Sequence, residues 1–508
     1  MTISPLLFLL LAPMFAIAVI LATRVQAQLV AGIAATFNLV LTIGLLWDYP
    51  AAQGGFAYVM DVPWVTLHGL PPIHLHLGAD GISLPLLFLT AIVTFAAIAI
   101  SPGAIRRGPE YFCYLLLMSL GAMGAFMSLD LFFFFIFHEF ALIPTFLLIG
   151  IWGAQNRQFA SFQVTIYLMA GSLILLAGLI ALVMAVPAPE RTFDIVALEA
   201  SLRGHPIDAT MQDIIFPILL VGFGILVGLV PFHSWAPPGY ASAPPAAAML
   251  HAGILKKFAL YGLIRIAIPM LHEGFETWLP LILTLLAGNF IYAGFITIAQ
   301  KELPTMIGFS SIMHMGYLFL GIACWNNLGV SGAVFLMVAH GLSAALLFGL
   351  TGEVTHRSGE NRFAELGGLA QRAPILAVLF TFASMASMGV PGLANFAGEL
   401  MVFFGAYAAL LPLFAIVAVY GTVITAIFQL RAIKAIFYGP MPDRYLPHAR
   451  ELTNSGEPIP APGMTDVTGL NGYAPYVLLT AASLAIGFMP FLLLHIVQPS
   501  VSLLPYLR

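Results

Sequence analysis

The sequence predicts an all-α protein that crosses a membrane about fourteen times, and three observations predict it. Of its 508 residues 61% are hydrophobic and only 8% charged, whereas an ordinary soluble domain carries about 25% charged residues. Mean hydropathy is +1.00. Apolar runs long enough for a hydrocarbon core about 30 Å thick lie near 4–23, 28–47, 82–101, 111–128, 130–152, 161–186, 213–235, 245–270, 277–299, 303–324, 328–351, 373–404, 409–437 and 473–495. The longest polar connections, 48–81, 187–212, 352–372 and 438–472, are too short for a catalytic domain, so 1–508 reads as one integral membrane domain.

The elements follow in order. The first run, MTISPLLFLLLAPMFAIAVILATRVQAQ, ends in a segment resembling a signal-peptidase site, but no Lys or Arg precedes the apolar stretch, and a retained span is expected. Alternate connections collect the positive charge: Arg24, Arg106 and Arg107, Arg157, Lys301, then Arg357, Arg362 and Arg372, then Arg444 and Arg450. The opposite set holds Arg191, Arg203 and Arg508. Cytoplasmic loops are enriched in Lys and Arg, so both termini are expected outside. A net charge of −4 without a basic tract argues against nucleic acid as a partner. The two cysteines, Cys113 and Cys324, show neither metal-type spacing nor a disulfide framework, so no redox cofactor bound through cysteine is expected.

Two spans carry a similar interruption, GLVPFHSWAPPG at 228–239 and MGVPGLANFAG at 388–398. Proline removes an amide donor and clashes with the preceding turn, which frees carbonyls that a lined cavity can use. Broken helices in corresponding places of two five-span units mark an inverted-repeat transporter. The expected division is 1–110 with the first three spans, 111–270 as a first five-helix repeat, 277–437 as a second, and 438–508 as a loop and final span. Two ordinary proline kinks are the plainer alternative.

Away from span ends, the ionisable residues within the runs are His138, Glu139, His233, His251, Lys256, Lys257, His314, His340 and Glu399. Such residues normally face a bundle interior and pair, and lines of them mark proton or ion routes. A lone histidine is as well explained as a hydrogen-bonded core residue. Lys256 and Lys257 are adjacent, hence about 100° apart on a helix, and are not expected to face one cavity. Glu139 and Glu399 are hardest to explain as structural, because neither lies near an interface.

These motifs carry a resemblance. SLDLFFFFIFHEFALIPTFLLIGIWG, APPAAAMLHAGILKKFALYGLIR, GFSSIMHMGYLFLGI, VAHGLSAALLFGLTGEV and SMGVPGLANFAGELMVFFG, with LGADGISLPLLFLT and IFYGP, resemble subunit M of bacterial NADH:quinone oxidoreductase, the mitochondrial complex I subunit 4 type. The resemblance covers nearly the whole chain. It implies an antiporter-like subunit of the membrane arm in the bacterial inner membrane, partnered by other such subunits and by a peripheral redox arm. It also implies no cofactor or metal on this chain, with FMN, iron–sulfur clusters and quinone on other subunits. By the same resemblance Glu139 matches the fifth-span glutamate and Lys257 the central lysine of the eighth. His314 and His340 continue the axis, and Glu399 matches the terminal glutamate of the broken twelfth span.

One member of the pattern is absent. Leu226 stands where the family has a seventh-span lysine that normally pairs with the glutamate, and Pro238 and Tyr240 replace an aspartate and a histidine. Three readings follow: Glu139 is neutral at rest, since burial without a countercharge favours the uncharged acid; a histidine, His251 or His138, stands in for the lysine; or the input half is uncoupled. Of the histidines, His251 is preferred, because the adjacent His138 diverges from Glu139. The expected function is proton translocation coupled to quinone reduction elsewhere. A Mrp-type cation/proton antiporter subunit, the membrane subunit of a hydrogenase or carbon-uptake complex, and a non-pumping scaffold are the alternatives.

Overall fold

The structure is a computed structural model that describes residues 4–24, 26–66, 71–154, 156–442, 466–467 and 470–507. Arg444, Arg450 and Arg508, which entered the charge distribution, lie outside the described residues. Among the described residues, twelve helices are long and apolar enough to cross a membrane. In chain order the helices are α1 (Pro5–Thr23), α2 (Ala27–Asp48), α3 (Ser83–Ile100), α4 (Gly108–Met127), α5 (Leu131–Trp152), α6 (Arg157–Ala185), the short α7 (Ile195–Gly204), α8 (Ala209–Val227), the short α9 (Ala236–Ser242) and α10 (Pro245–Met270). There follow α11 (His272–Ala299), α12 (Leu303–Ala323), α13 (Asn327–Ser358), α14 (Pro374–Ser387), α15 (Ala394–Ala408), α16 (Pro412–Tyr438), α17 (Leu470–Phe488) and α18 (Phe491–Ser502).

Two expected spans are interrupted. The run 373–404 is divided between α14 and α15, each too short to cross alone. The run 473–495 ends at Phe488, where the chain bends by 67° into α18. With that bent pair counted as one, thirteen spans pass on length and composition among the described residues, against the fourteen expected; the run 373–404, split between α14 and α15, is the one that does not.

Several helices start where a side chain satisfies the free amides of the first turn. Asp130 accepts from the Phe132 and Phe133 amides at α5, and Asn326 from Gly329 at α13. Burial sorts the spans. α10 and α13 are fully enclosed and α12 nearly so, whereas α1 and α2 bury only a third of their apolar windows. The enclosed helices therefore form the centre of the bundle. They also carry Lys256, Lys257, His251, His314 and His340, so the most polar spans are the ones farthest from lipid.

The connection 48–81, expected only as a polar loop, contains an antiparallel hairpin of β1 (Ala57–Val65) and β2 (Ile73–Ala79), with Asp61 opposite His76 and Pro63 opposite His74. It docks on the bundle through the Leu129 amide, which donates to the His76 carbonyl at 2.8 Å. The Leu131 amide donates to Phe193 and that of Ile195 to Leu129, which ties in the 187–212 connection as well.

Candidate functional site

Both interruptions begin with a glycine in the left-handed region, where other residues are strained: Gly228 after α8, φ 79°, and Gly389 after α14, φ 67°. At the first, the Val230 amide donates to Asn289 Oδ1 at 2.9 Å, and Asn289 Nδ2 donates to the Ile312 carbonyl. The second leaves the Ser387 carbonyl free of its helical partner. A side chain occupies it: His314 Nε2 lies 2.9 Å from Ser387 O, while His314 Nδ1 lies 2.7 Å from Ser310 O. Carbonyls only accept, so both bonds are made at once when the ring is a doubly protonated imidazolium. Gly389 also leaves room for Glu399, since a Cβ on Gly389 would run into that carboxylate.

From His314 the polar line continues inward. The rings of His314 and His340 have centroids 5.4 Å apart, and His340 Nδ1 is 3.1 Å from Lys257 Nζ. Lys257 also donates to the Ala252 carbonyl at 2.8 Å, within a wide π turn, His251–Leu255, that precedes it on α10. Lys257, His340, His314 and Glu399 are all buried, none more than 3% exposed. Four of the five expected axis residues are thus brought together along α10, α13, α12 and the interrupted span.

Glu139 lies apart from them. Its hydrogen-bond partner among the described residues is Ser172 of α6, whose hydroxyl donates to Oε1. Neither histidine expected to replace the missing lysine touches it. His138 stacks face to face on Phe258 with centroids 4.0 Å apart, and both of its ring nitrogens lack a hydrogen-bond partner. His251 directs Nδ1 to the Tyr240 hydroxyl at 3.1 Å. The preference for His251 as direct partner of Glu139 is therefore corrected. A helix places residues three or four apart on one face, but which neighbouring helix that face meets is a tertiary matter, and α6 fills the position.

Lys256 and Lys257 diverge as adjacency requires, yet both are fully buried. Lys256 Nζ donates to Ser311 Oγ at 3.3 Å and stands 5.0 Å above the Tyr240 ring. His233, beside the first interruption, packs edge-on against Tyr292. One buried ion pair was missed by sequence reasoning: Arg265 of α10 binds Asp80, just before α3, beneath the rings of Phe56 and Tyr261. The signal was the aspartate in LGADGISLPL, but Arg265 sits near a span end, where an exposed arginine is ordinary.

Known proteins resemble this arrangement. Residues 128–425 match the family described as NADH:quinone oxidoreductase/Mrp antiporter, transmembrane. NAD(P)H-quinone oxidoreductase chain 4 of Acaryochloris marina is 37% identical over 401 residues, 77% of this chain and 73% of that protein. NADH-quinone oxidoreductase subunit M of Rickettsia felis is 30% identical over 84% of this chain and 85% of its own. In structure, a chain of respiratory complex I from Thermus thermophilus matches 98% of this chain and 99% of its own with a TM-score of 0.85 at 27% identity. A chain of the Mrp complex from Dietzia gives 0.82 at 23% identity over 98% of this chain and 97% of its own, a likeness of fold alone. Fold, motifs and relatives agree, and the chain belongs to the NADH:quinone oxidoreductase/Mrp antiporter transmembrane family.

Proposed function

We propose that this chain is a membrane-arm subunit of an NADH:quinone oxidoreductase-type complex and that it moves protons while other subunits reduce quinone. One observation carries the reading: the buried run from Lys257 through His340 and His314 to the Ser387 carbonyl ends beside Glu399. Buried ionisable groups in such a line are costly and are kept for transport. The Lys257 ammonium gives a proton to His340 Nδ1 and becomes a neutral amine. His340 passes it to His314, whose two carbonyl partners suit the charged ring, and Glu399 takes it and releases it outside.

Redox energy then arrives as a conformational or electrostatic change from a neighbouring subunit, acting first on Glu139. FMN, iron–sulfur clusters and quinone belong on the other subunits, and neighbouring antiporter-like subunits and the peripheral arm are the partners. The Lys/Arg distribution supports a bacterial inner membrane topology with both ends outside. The paired interruptions support 111–270 and 277–437 as inverted five-helix repeats within 1–508.

The family also contains Mrp antiporters, which favours one second reading, a cation/proton antiporter subunit. Purification through a tag on this chain tests both. Iron–sulfur signals, quinone reduction and quinone-dependent proton uptake in vesicles are expected. Recovery without redox subunits, together with sodium-driven proton exchange, would replace the first reading by the second.

A further inference from the structure

Lys256 has no place in the path above, although its burial demands a reason. It is 1% exposed, and an ammonium in a protein interior carries a desolvation penalty that only good partners offset. Its partners are weak: the Ser311 hydroxyl at 3.3 Å and the faces of Tyr240 and Trp235 at 5.0 and 6.0 Å. Aromatic faces attract a cation at this range but supply no countercharge. The seventh span, α8, holds no lysine or arginine, so Lys256 is an additional cation in the first half of the chain's interior.

Tyr240 connects it outward. The tyrosine lies in the wall of a cavity of about 560 Å³ whose lining also includes Ser101, Glu353, His356 and Arg357. That cavity opens on the face where the Lys- and Arg-rich connections lie. The Tyr240 hydroxyl meets His251 Nδ1 at 3.1 Å, and His251 Nε2, though buried, has no hydrogen-bond partner. The His251 ring and the Lys256 ammonium pack on the same two rings: His251 lies 5.4 Å from Trp235 and 5.5 Å from Tyr240, centroid to centroid. The vestibule wall, the phenol, an imidazole with an unpartnered nitrogen and the lysine are thus gathered around Tyr240.

We propose that Lys256 is a second titrating member of the proton path, loaded from this vestibule through Tyr240 and His251. The proposal rests on the proton-moving reading above and names its inlet. Vestibule water gives a proton to Tyr240 Oη as the tyrosine's own proton passes to His251 Nδ1. The imidazolium releases its Nε2 proton to the neutral Lys256 amine. One proton has left the vestibule and one sits on Lys256; Tyr240 is neutral, and His251 is neutral with its proton on Nδ1, so a turn of the ring resets the tautomer for the next proton. The new charge, one residue from the Lys257 ammonium, repels it and drives its proton onto His340 Nδ1. Because the two amines diverge, toward Ser311 and toward His340, a water relay then carries the Lys256 proton to the emptied Lys257 amine.

The test measures protons taken up per electron by the intact complex in vesicles, with assembly followed on native gels. Lys256→Met, Lys256→Arg and Tyr240→Phe are compared with Lys257→Met. Arginine keeps the charge and the stem but does not release its proton, so Lys256→Arg should lose as much translocation as Lys256→Met, and both losses should be comparable to that of Lys257→Met. Tyr240→Phe keeps the ring over Lys256 but lacks the hydroxyl, and should show the same loss. A wild-type ratio in Lys256→Arg would overturn the assignment of Lys256, and one in Tyr240→Phe would overturn the inlet. If Lys256→Met does not assemble, Lys256→Arg decides. A wild-type ratio in Lys257→Met would instead defeat the proton-moving reading itself.

Discussion

Glu139 is held by a serine from the neighbouring helix α6, and that changes what substitution there should do. A hydroxyl donor supplies no charge, so an amide that accepts the same hydrogen bond is a near-isosteric replacement. Glu139→Gln should therefore alter stability by less than about 1 kcal/mol, while Ser172→Ala, which removes the donor from a carboxyl that is only partly buried, should cost about 0.5–1.5 kcal/mol; thermal unfolding of the purified complex checks both. The Asp80–Arg265 pair behaves differently because both partners are charged and buried. Asp80→Asn leaves the guanidinium without its carboxylate and should destabilise by about 3–5 kcal/mol, a loss visible as reduced assembly. Glu139, Lys257, His314, His340 and Glu399 were legible as single residues because an ionisable group in an apolar run announces itself. Their partners were not, since Ser172, Ser310 and Ser387 are unremarkable in a membrane helix and only the packing selects them.

The interruptions, by contrast, were readable as elements. Pro231 and Pro391 with their flanking glycines dictate breaks, and α8 and α14 end where the motifs begin. Gly389 adds a requirement that sequence does not display: its φ of 67° and the nearby Glu399 both exclude a Cβ. Gly389→Ala should cost at least about 1–2 kcal/mol from the backbone alone and should displace Glu399, so proton uptake per electron should fall more than electron transfer does. The hairpin was hidden for a physical reason. A two-stranded ribbon is marginal by itself, and β1 and β2 are held by docking on Leu129 and on the loop before α7 rather than by local pattern.

That docking includes a pair formed by His76 Nδ1 and Asp194 Oδ2, 2.5 Å apart. Burial opposes both charges, but the hydrogen bond, the attraction between the charges and, for Asp194, the Ala197 amide together outweigh it: His76 is raised above the ordinary imidazole value and Asp194 lowered below that of a free carboxyl. The His76 contribution is present below its unfolded value and is lost as pH rises through the raised one, whereas that of Asp194 is lost as pH falls through the lowered one. Docking should therefore be tightest between about pH 4 and 6.5 and should loosen on the alkaline side. Amide protection of residues 73–79, taken relative to the intrinsic base-catalysed exchange rate at each pH, reads it, and lower protection is expected at pH 9 than at pH 6.

Across the whole molecule, hydropathy alone located the crossings, because a bilayer forces every spanning segment to be apolar and helical or closed. It did not order them by depth. That order matters, since the polar axis lies on α10, α12 and α13, the helices with no lipid-facing surface to betray them by an apolar moment. The expected orientation rests on the charge distribution, and labelling tests it: cysteines at His205 and Gln371, both exposed, should react with an impermeant reagent from opposite sides of the membrane. Reaction from one side would reverse half of the assignment. The central claim is that protons cross through the buried line from Lys257 to Glu399. It is tested most directly by the ratio of protons taken up to electrons transferred in vesicles carrying the intact complex with Lys257→Met. A clear fall in that ratio, with uncoupler-released electron transfer retained, is the predicted result; an unchanged ratio in an assembled complex would contradict it.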